Sequence, residues 1–262
     1  MVGRRYRRLS ATTARYATFH LAAGTHPGKL HGLRMTLRAD MALSSNRRQG
    51  TRRMHTGEQY HNFMLASERD RAVRGRFQKM ALDLLGKGAD ILDFGAGTGI
   101  DAKTYSAHGH HTFVYEPSEA MRDYLGHHCQ DEIVRKTIVP IASPDECRVQ
   151  AVTANFAVLN HIDDHAPLFE ELSRAVDPGG FVLASMLNPY FLGDARYGWW
   201  RRNLLTLMRD GHYAVASESR IHRFTPRIVA RAAKPYFRLE RITPRGLGLA
   251  THLYMFLLLR RI

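Results

Sequence analysis

From about residue 58 onward, short uninterrupted apolar runs alternate with longer stretches whose apolar residues recur every three or four positions. The runs suit strands buried on both faces, and the stretches suit helices packed along one side. Glu58 to Leu85 reads as a helical region with Phe77, Met80, Ala81, Leu84 and Leu85 as its stripe, ending at Gly86-Lys87-Gly88. Strands are predicted at 89–94, 111–116, 137–142, 149–154 and 180–187. Helices fall between them at about 99–107, 118–127 and 165–176, the last capped by Asp163 or Asp164 with Pro167 in its first turn. This alternation predicts an α/β fold with a doubly wound, mostly parallel sheet.

Residues 189–223 interrupt the pattern with Tyr190, Phe191, Tyr197, Trp199, Trp200 and Tyr213 beside Arg196, Arg201 and Arg202. They read as a lid inserted into the domain. Thr225-Pro226 then opens a helix to about Ala233, and two strands follow near 236–242 and 249–258.

The chemistry concentrates after the first strand, where Ile91-Leu92-Asp93-Phe94 runs into Gly95-Ala96-Gly97-Thr98-Gly99. Alternate glycines let a loop turn through positive φ and bring its backbone close to a ligand, and the next helix offers unpaired N–H groups. Glu116 ends the second strand, where a carboxylate can accept two hydrogen bonds from a ribose diol. Gly97-Thr98-Gly99-Ile100-Asp101-Ala102 also satisfies the dinucleotide pattern G-x-G-x-x-G/A. Asp93 opposes that reading, because a carboxylate there repels a pyrophosphate and attracts a cationic amino group.

The spacing Asp93-x-Gly95-x-Gly97-x-Gly99 with Glu116 beyond it resembles the first two motifs of class I S-adenosylmethionine-dependent methyltransferases of the small-molecule type. Asn155 to His161 resembles the family's segment after the fourth strand, and Asp177-Pro178-Gly179-Gly180 its turn into the fifth, so the likeness covers roughly residues 58–188. The resemblance implies a seven-stranded sheet with an antiparallel last strand, Leu253, Met255 and Leu257 on one face and Tyr254, Phe256 and Leu258 on the other. It also implies S-adenosyl-L-methionine lying over the loop, with Glu116 on the ribose hydroxyls and the methionine end near Asp93, Gly95 and Asn155. The expected cofactor shell is Asp93, Gly95, Ala96, Gly97, Thr98, Gly99, Glu116, Pro117, Ser118, Met121, Ser143, Asn155 and Phe156. An NAD(P)-dependent oxidoreductase and a non-catalytic domain binding the same sulfonium are the alternatives.

The sequence departs from the family in places. After the third strand Ser143 or Asp145 stands where relatives place an acidic residue toward the adenine, and Gln150 replaces an aspartate at the start of the fourth. Ala154-Asn155-Phe156-Ala157 is not the motif of enzymes that methylate nucleic-acid amino groups, and Asn188-Pro189-Tyr190 reads as a strand-exit turn.

Charge separates the chain into two parts. Residues 1–53 carry 11 Arg and 1 Lys against Asp40, leaving only a small excess of the total +14 for the other residues. This leader, of Arg, Ser, Thr, Ala and Gly with little apolar period, is expected to be disordered ahead of a domain at 54–262. Three readings fit it: an extension upstream of a natural start at Met54, an organelle-targeting peptide, or an arm for nucleic acid or anionic lipid. The longest apolar run, Leu253 to Leu259, is too short to span a bilayer. Two cysteines, Cys129 and Cys147, fit a reducing compartment and a cytoplasmic location, and the scattered histidines lack the regular spacing of a zinc site.

The expected reaction is in-line transfer of a methyl group to a small molecule, with no nucleic acid as acceptor. His161, at the ligand edge of the sheet, is the first candidate for a general base, ahead of His222 and His212. Tyr190, Tyr197, Trp199, Trp200 and Arg201 of the lid suit an apolar or aromatic small molecule bearing an anionic group, or else peripheral contact with a membrane surface and a lipid-like acceptor.

Overall fold

A computed structural model describes residues 56–214 and 221–262. The expected leader lies outside the described residues. Among those described, the strands are β1 (Asp90–Phe94), β2 (His111–Tyr115), β3 (Ile138–Pro140), β4 (Val149–Ala154), β5 (Val176–Leu187), β6 (His212–Ala214), β7 (His222–Phe224), β8 (Phe237–Thr243) and β9 (Tyr254–Arg261). The helices are α1 (Gly57–Ala66), α2 (Glu68–Leu84), α3 (Ile100–Ala107), α4 (Glu119–His128), α5 (Gln130–Val134), α6 (His165–Ala175), α7 (Gly198–Asp210), α8 (Pro226–Ala233) and α9 (Gly248–Thr251).

Seven strands form one sheet in the order β3-β2-β1-β4-β5-β9-β8, while β6 and β7 pair as a separate ribbon. β1 through β5 are parallel, and β9 inserts antiparallel between β5 and β8. The chain winds outward from β1 to β3 and then returns to the other side of β1 as β4. Loops leaving β1 and β4 therefore diverge, which opens a crevice at the carboxyl ends of these two strands.

Alternation along the strands feeds two cores. Leu92, Phe94, Val152 and Ala154 pack with Leu168, Phe169 and Leu172 of α6 and Val229 and Ala233 of α8. Ile91, Ala151, Leu183, Phe256 and Leu258 pack on the opposite side with Val73, Phe77 and Ala81 of α2. Met255 and Leu257 belong to the first core and Phe256 and Leu258 to the second, as the alternation predicts.

Three boundaries differ from the sequence reading. The helix expected at 58–85 is two helices, because the Ser67 hydroxyl accepts from the Asp70 amide and starts α2 afresh. β5 begins at Val176, and the turn expected at Asp177–Gly180 is a bulge within it: Val149 faces Val176, whereas Ala151 faces Phe181. The last strand runs later than 249–258, since Gly248–Thr251 is a helical turn and Arg260 and Arg261 remain in the ladder. Asp164 caps α6 by accepting from the Ala166 amide at 3.0 Å.

Candidate active site

β1 ends in a loop whose three glycines all have positive φ, in two different steric settings. A Cβ on Gly95 would lie 2.8 Å from the Val158 methyls, and one on Gly99 would lie 2.6 Å from Cys129 Sγ. A Cβ on Gly97 would meet only Tyr60 Cε1, at 3.8 Å. Gly95 and Gly99 thus allow close packing, while Gly97, at φ +57°, faces open space.

Across that space stands Glu116. Its Oε2 accepts from the Gly97 amide at 2.7 Å and its Oε1 from the Ser118 amide at 2.8 Å. Burial raises its pKa, an effect opposed by the two amides and by Arg122. Two lone-pair positions on each oxygen leave acceptor capacity beyond these bonds.

Asp93 lies beneath the loop and is buried. Its Oδ1 accepts from Thr153 Oγ1 at 3.2 Å, while Oδ2 has no partner among the described residues. Burial, and next the neighbouring Asp101, push its pKa up to about 8. Thr153 and Arg74 relieve it only in part; the Arg74 guanidinium pairs with Asp101, which also accepts from Gln78 Nε2 at 2.7 Å and Asn155 Nδ2 at 3.1 Å. A buried carboxylate oxygen without a donor is where a ligand's ammonium group fits.

β4 leaves the sheet through Phe156 and Ala157, whose φ values of +53° and +66° place two successive non-glycine residues in the left-handed region. Such backbone costs of order 1–3 kcal/mol per residue and persists where its surroundings hold it. Here Asn155 Oδ1 accepts from the Phe156 amide at 2.8 Å, Ser185 O from the Ala157 amide at 2.9 Å, and the Arg74 guanidinium covers the Phe156 ring at 4.5 Å. The reversal feeds the 3-10 turn Val158–His161 and brings it to the crevice.

The result is a cleft that encloses about 730 Å³ of space, part of it open solvent. Gly95, Gly97, Glu116, Pro117, Ser118, Met121, Asn155, Phe156 and His161 line it, so the structure brings these sequence candidates together. Asp93, buried one residue before the lining residue Phe94, is not itself part of the lining. Ala96, Thr98, Gly99 and Ser143 do not line it, and the Thr98 hydroxyl instead meets His61 Nδ1 at 3.2 Å.

The lid candidates do not reach this cleft either. Trp199, Leu207 and Tyr213 form a satellite core with Tyr197, Trp200 and Ile221 packed against it, and Arg201 is exposed. The aromatic residues pack the insertion onto itself, which is what their clustering reflects. Tyr190 is partly exposed and also off the cleft. His222 Nε2 pairs with Asp163 Oδ1 at 3.1 Å, and the His212 and His222 rings lie 6.1 Å apart, outside the lining. Asn188 completes a structural turn, its Nδ2 donating to His252 O at 2.7 Å and its Oδ1 accepting from the Tyr190 amide at 2.9 Å.

Sequence reasoning missed Tyr60, Phe94, Tyr115, Val158 and Ile162 as lining residues. Tyr60 comes from α1, which His61 docks over the loop through Thr98 and through the rings of Tyr124 and His128 at 5.0 and 4.5 Å. Burial pushes the Tyr60 phenol up to about 12, so it keeps its proton at neutral pH. The available signal was the mixed polar and aromatic character of Gln59-Tyr60-His61 on an otherwise amphipathic helix.

Solved structures share the fold. A 1,6-didemethyltoxoflavin-N1-methyltransferase from Burkholderia thailandensis is 17% identical, with 91% of this chain and 93% of that one covered at a TM-score of 0.55. The CcbJ methyltransferase of Streptomyces caelestis is 16% identical over 71% and 89%, at 0.52. A Mesorhizobium loti S-adenosylmethionine-dependent methyltransferase is 18% identical over 69% and 95%, at 0.50. No curated protein matches the sequence. The family profile described as a methyltransferase domain matches residues 65–234, well over half of the chain. With the glycine loop, the Glu116 carboxylate and the sheet order in place, the chain belongs to the methyltransferase domain family and is a class I S-adenosylmethionine-dependent methyltransferase.

Proposed function

We propose that this cleft holds S-adenosylmethionine against the glycine loop and delivers its methyl group to an uncharged, largely apolar small molecule. The observation that carries the reading is Glu116, braced by two backbone amides with spare acceptor capacity at a cleft wall, opposite a glycine that leaves the space clear. Glu116 would accept from the ribose hydroxyls, Asp93 Oδ2 would receive the ammonium, and Pro117, Ser118 and Met121 would flank the adenine side.

The bound cofactor supplies a methyl group on a positively charged sulfur, already a strong electrophile. The protein's task is then to orient the acceptor and exclude water, and positioning of this kind supplies up to roughly 7–11 kcal/mol. Tyr60, Phe156, Val158 and Ile162 offer apolar surface for the acceptor, with Asn155 and His161 as polar groups beside it. His161 Nδ1 or Nε2 would accept a proton from a hydroxyl or amine nucleophile, a contribution of about 10² to 10⁴ in rate. Among the described residues that line the cleft, Glu116 is the carboxylate and no Lys or Arg is present, which supports an uncharged acceptor. The small molecule bound in the Burkholderia thailandensis structure, 1,6-didemethyltoxoflavin, lends support to an acceptor of this size.

Calorimetric titration with S-adenosylmethionine, S-adenosylhomocysteine and NAD tests the site, and mass spectrometry of cell extract incubated with labelled methyl donor tests the acceptor class. Sulfonium binding lost on Glu116→Ala, with label in a neutral small molecule, is expected. Label on nucleic acid or on an anionic metabolite would overturn the acceptor assignment, and cofactor binding without any transfer would favour a regulatory domain.

A further inference from the structure

Helix α7 is held by one side and bare on the other. Trp199 and Leu207 are buried in the satellite core, where Trp199 lies against Tyr197 and Tyr213 with ring centroids 6.2 Å apart in each case. The Arg223 guanidinium stands 5.7 Å from the Trp199 ring and pairs with Asp194 at 2.8 Å, fastening the insertion to the end of β5 through Asn188 O. Away from that side, Arg201, Leu205 and Met208 follow at i, i+4 and i+7, and Arg202, Leu205 and Arg209 at i, i+3 and i+7. These spacings put all five on one helix face. Leu205 is 77% and Met208 82% exposed, and the three arginines are exposed as well.

Charge selects the occupant. The acids between residues 190 and 210 are Asp194 and Asp210, and both are engaged, Asp194 by Arg223 and Asp210 by Arg209. Among the described residues, neither Arg201 nor Arg202 pairs with a carboxylate. An apolar strip beside the two unneutralised guanidinium groups of Arg201 and Arg202 matches a bilayer surface, where leucine and methionine reach the acyl boundary and arginines meet lipid phosphates. We propose that this face of α7 docks on an anionic lipid surface, with Leu205 and Met208 inserted and Arg201 and Arg202 on the headgroups.

This inference goes beyond the reading of the cleft and does not depend on it. Both tryptophans of the chain, Trp199 and Trp200, lie on α7, so intrinsic fluorescence reports this helix specifically. The full chain would be titrated with phosphatidylcholine vesicles, with and without phosphatidylglycerol, carrying brominated acyl chains, which quench tryptophans lying within a helix diameter, about 10 Å, of the inserted face. Quenching that requires phosphatidylglycerol is expected. Arg201→Ala with Arg202→Ala should weaken binding about thirtyfold, at about 1 kcal/mol for each basic residue near an anionic surface. Leu205→Asp with Met208→Asp should abolish quenching while leaving the melting temperature and S-adenosylhomocysteine binding unchanged, since these side chains contact neither core nor cleft. Vesicle sedimentation without quenching would place attachment in the basic leader and overturn the proposal. So would quenching that survives the Leu205 and Met208 substitutions, or no vesicle association at all.

Discussion

Glu116 Oε2 accepts the Gly97 amide hydrogen at 2.7 Å, so the carboxylate at the end of β2 and the middle glycine of the loop after β1 are joined before any ligand arrives. The bond crosses from the end of one strand to the loop after its neighbour and braces that loop. Removing the carboxylate is therefore expected to cost twice, once as the proposed ligand contact and once as a loop brace. Glu116→Ala is expected to weaken S-adenosylhomocysteine binding by about 1.5–3 kcal/mol, the range for hydrogen bonds to charged groups. Calorimetry reads this directly, and wild-type affinity in the variant would remove Glu116 from the site.

Two of the loop glycines, Gly97 and Gly99, should fail in different ways. Gly97→Val places a branched side chain at φ +57° into the cleft, so ligand binding is expected to vanish. Gly99→Ala drives a methyl to within 2.6 Å of Cys129 Sγ in a packed core, so the melting temperature should fall first, by several degrees. Thermal melts with and without S-adenosylhomocysteine separate the two: ligand stabilisation disappears in the first variant and persists in the second.

The first five strands and the residues around Gly95, Glu116 and Asn155 were legible because each carries its signal locally, as an apolar run closed by a turn residue. What the sequence concealed depends on distant partners. Ser67 looks like any helical serine until its hydroxyl takes the Asp70 amide and divides the helix. Tyr60 enters the lining only because His61, one residue on, finds Thr98 across the fold. The tryptophans suggested a lid over the ligand, yet Trp199 is consumed by Tyr197 and Tyr213 within the insertion, a packing that composition alone resembles equally well.

Asp93 links stability to pH. Its folded pKa lies near 8, above the ordinary 3.8, first because it is buried and then because Asp101 adds negative charge; Thr153 and Arg74 oppose this and Glu116 reinforces it. A proton held more tightly in the folded chain stabilises it fully below the unfolded value, and that contribution is lost as pH rises through the folded one. The ligand-free protein should therefore melt at a lower temperature at about pH 9 than at about pH 6, with the slope reduced in Asp93→Asn. A ligand ammonium at Oδ2 would displace the proton, so S-adenosylhomocysteine affinity should rise across the same window. Methylthioadenosine, which lacks the amino-acid end, should show no such rise, and equal pH profiles for the two ligands would place the ammonium elsewhere.

His161 and His222 separate proton transfer from architecture. Asn160, fully buried, accepts from the Leu187 amide at 2.9 Å and donates to His222 O at 2.6 Å, which pins the turn that presents His161 to the cleft. His222 itself turns toward Asp163, off the lining. His161→Gln should leave S-adenosylhomocysteine affinity near wild type and slow single-turnover methyl transfer by about 10² to 10⁴, the span of general-base catalysis. His222→Gln should change transfer little. Transfer rates from labelled donor in acceptor-containing extract check both, and full speed in His161→Gln would mean that the nucleophile loses its proton without this histidine.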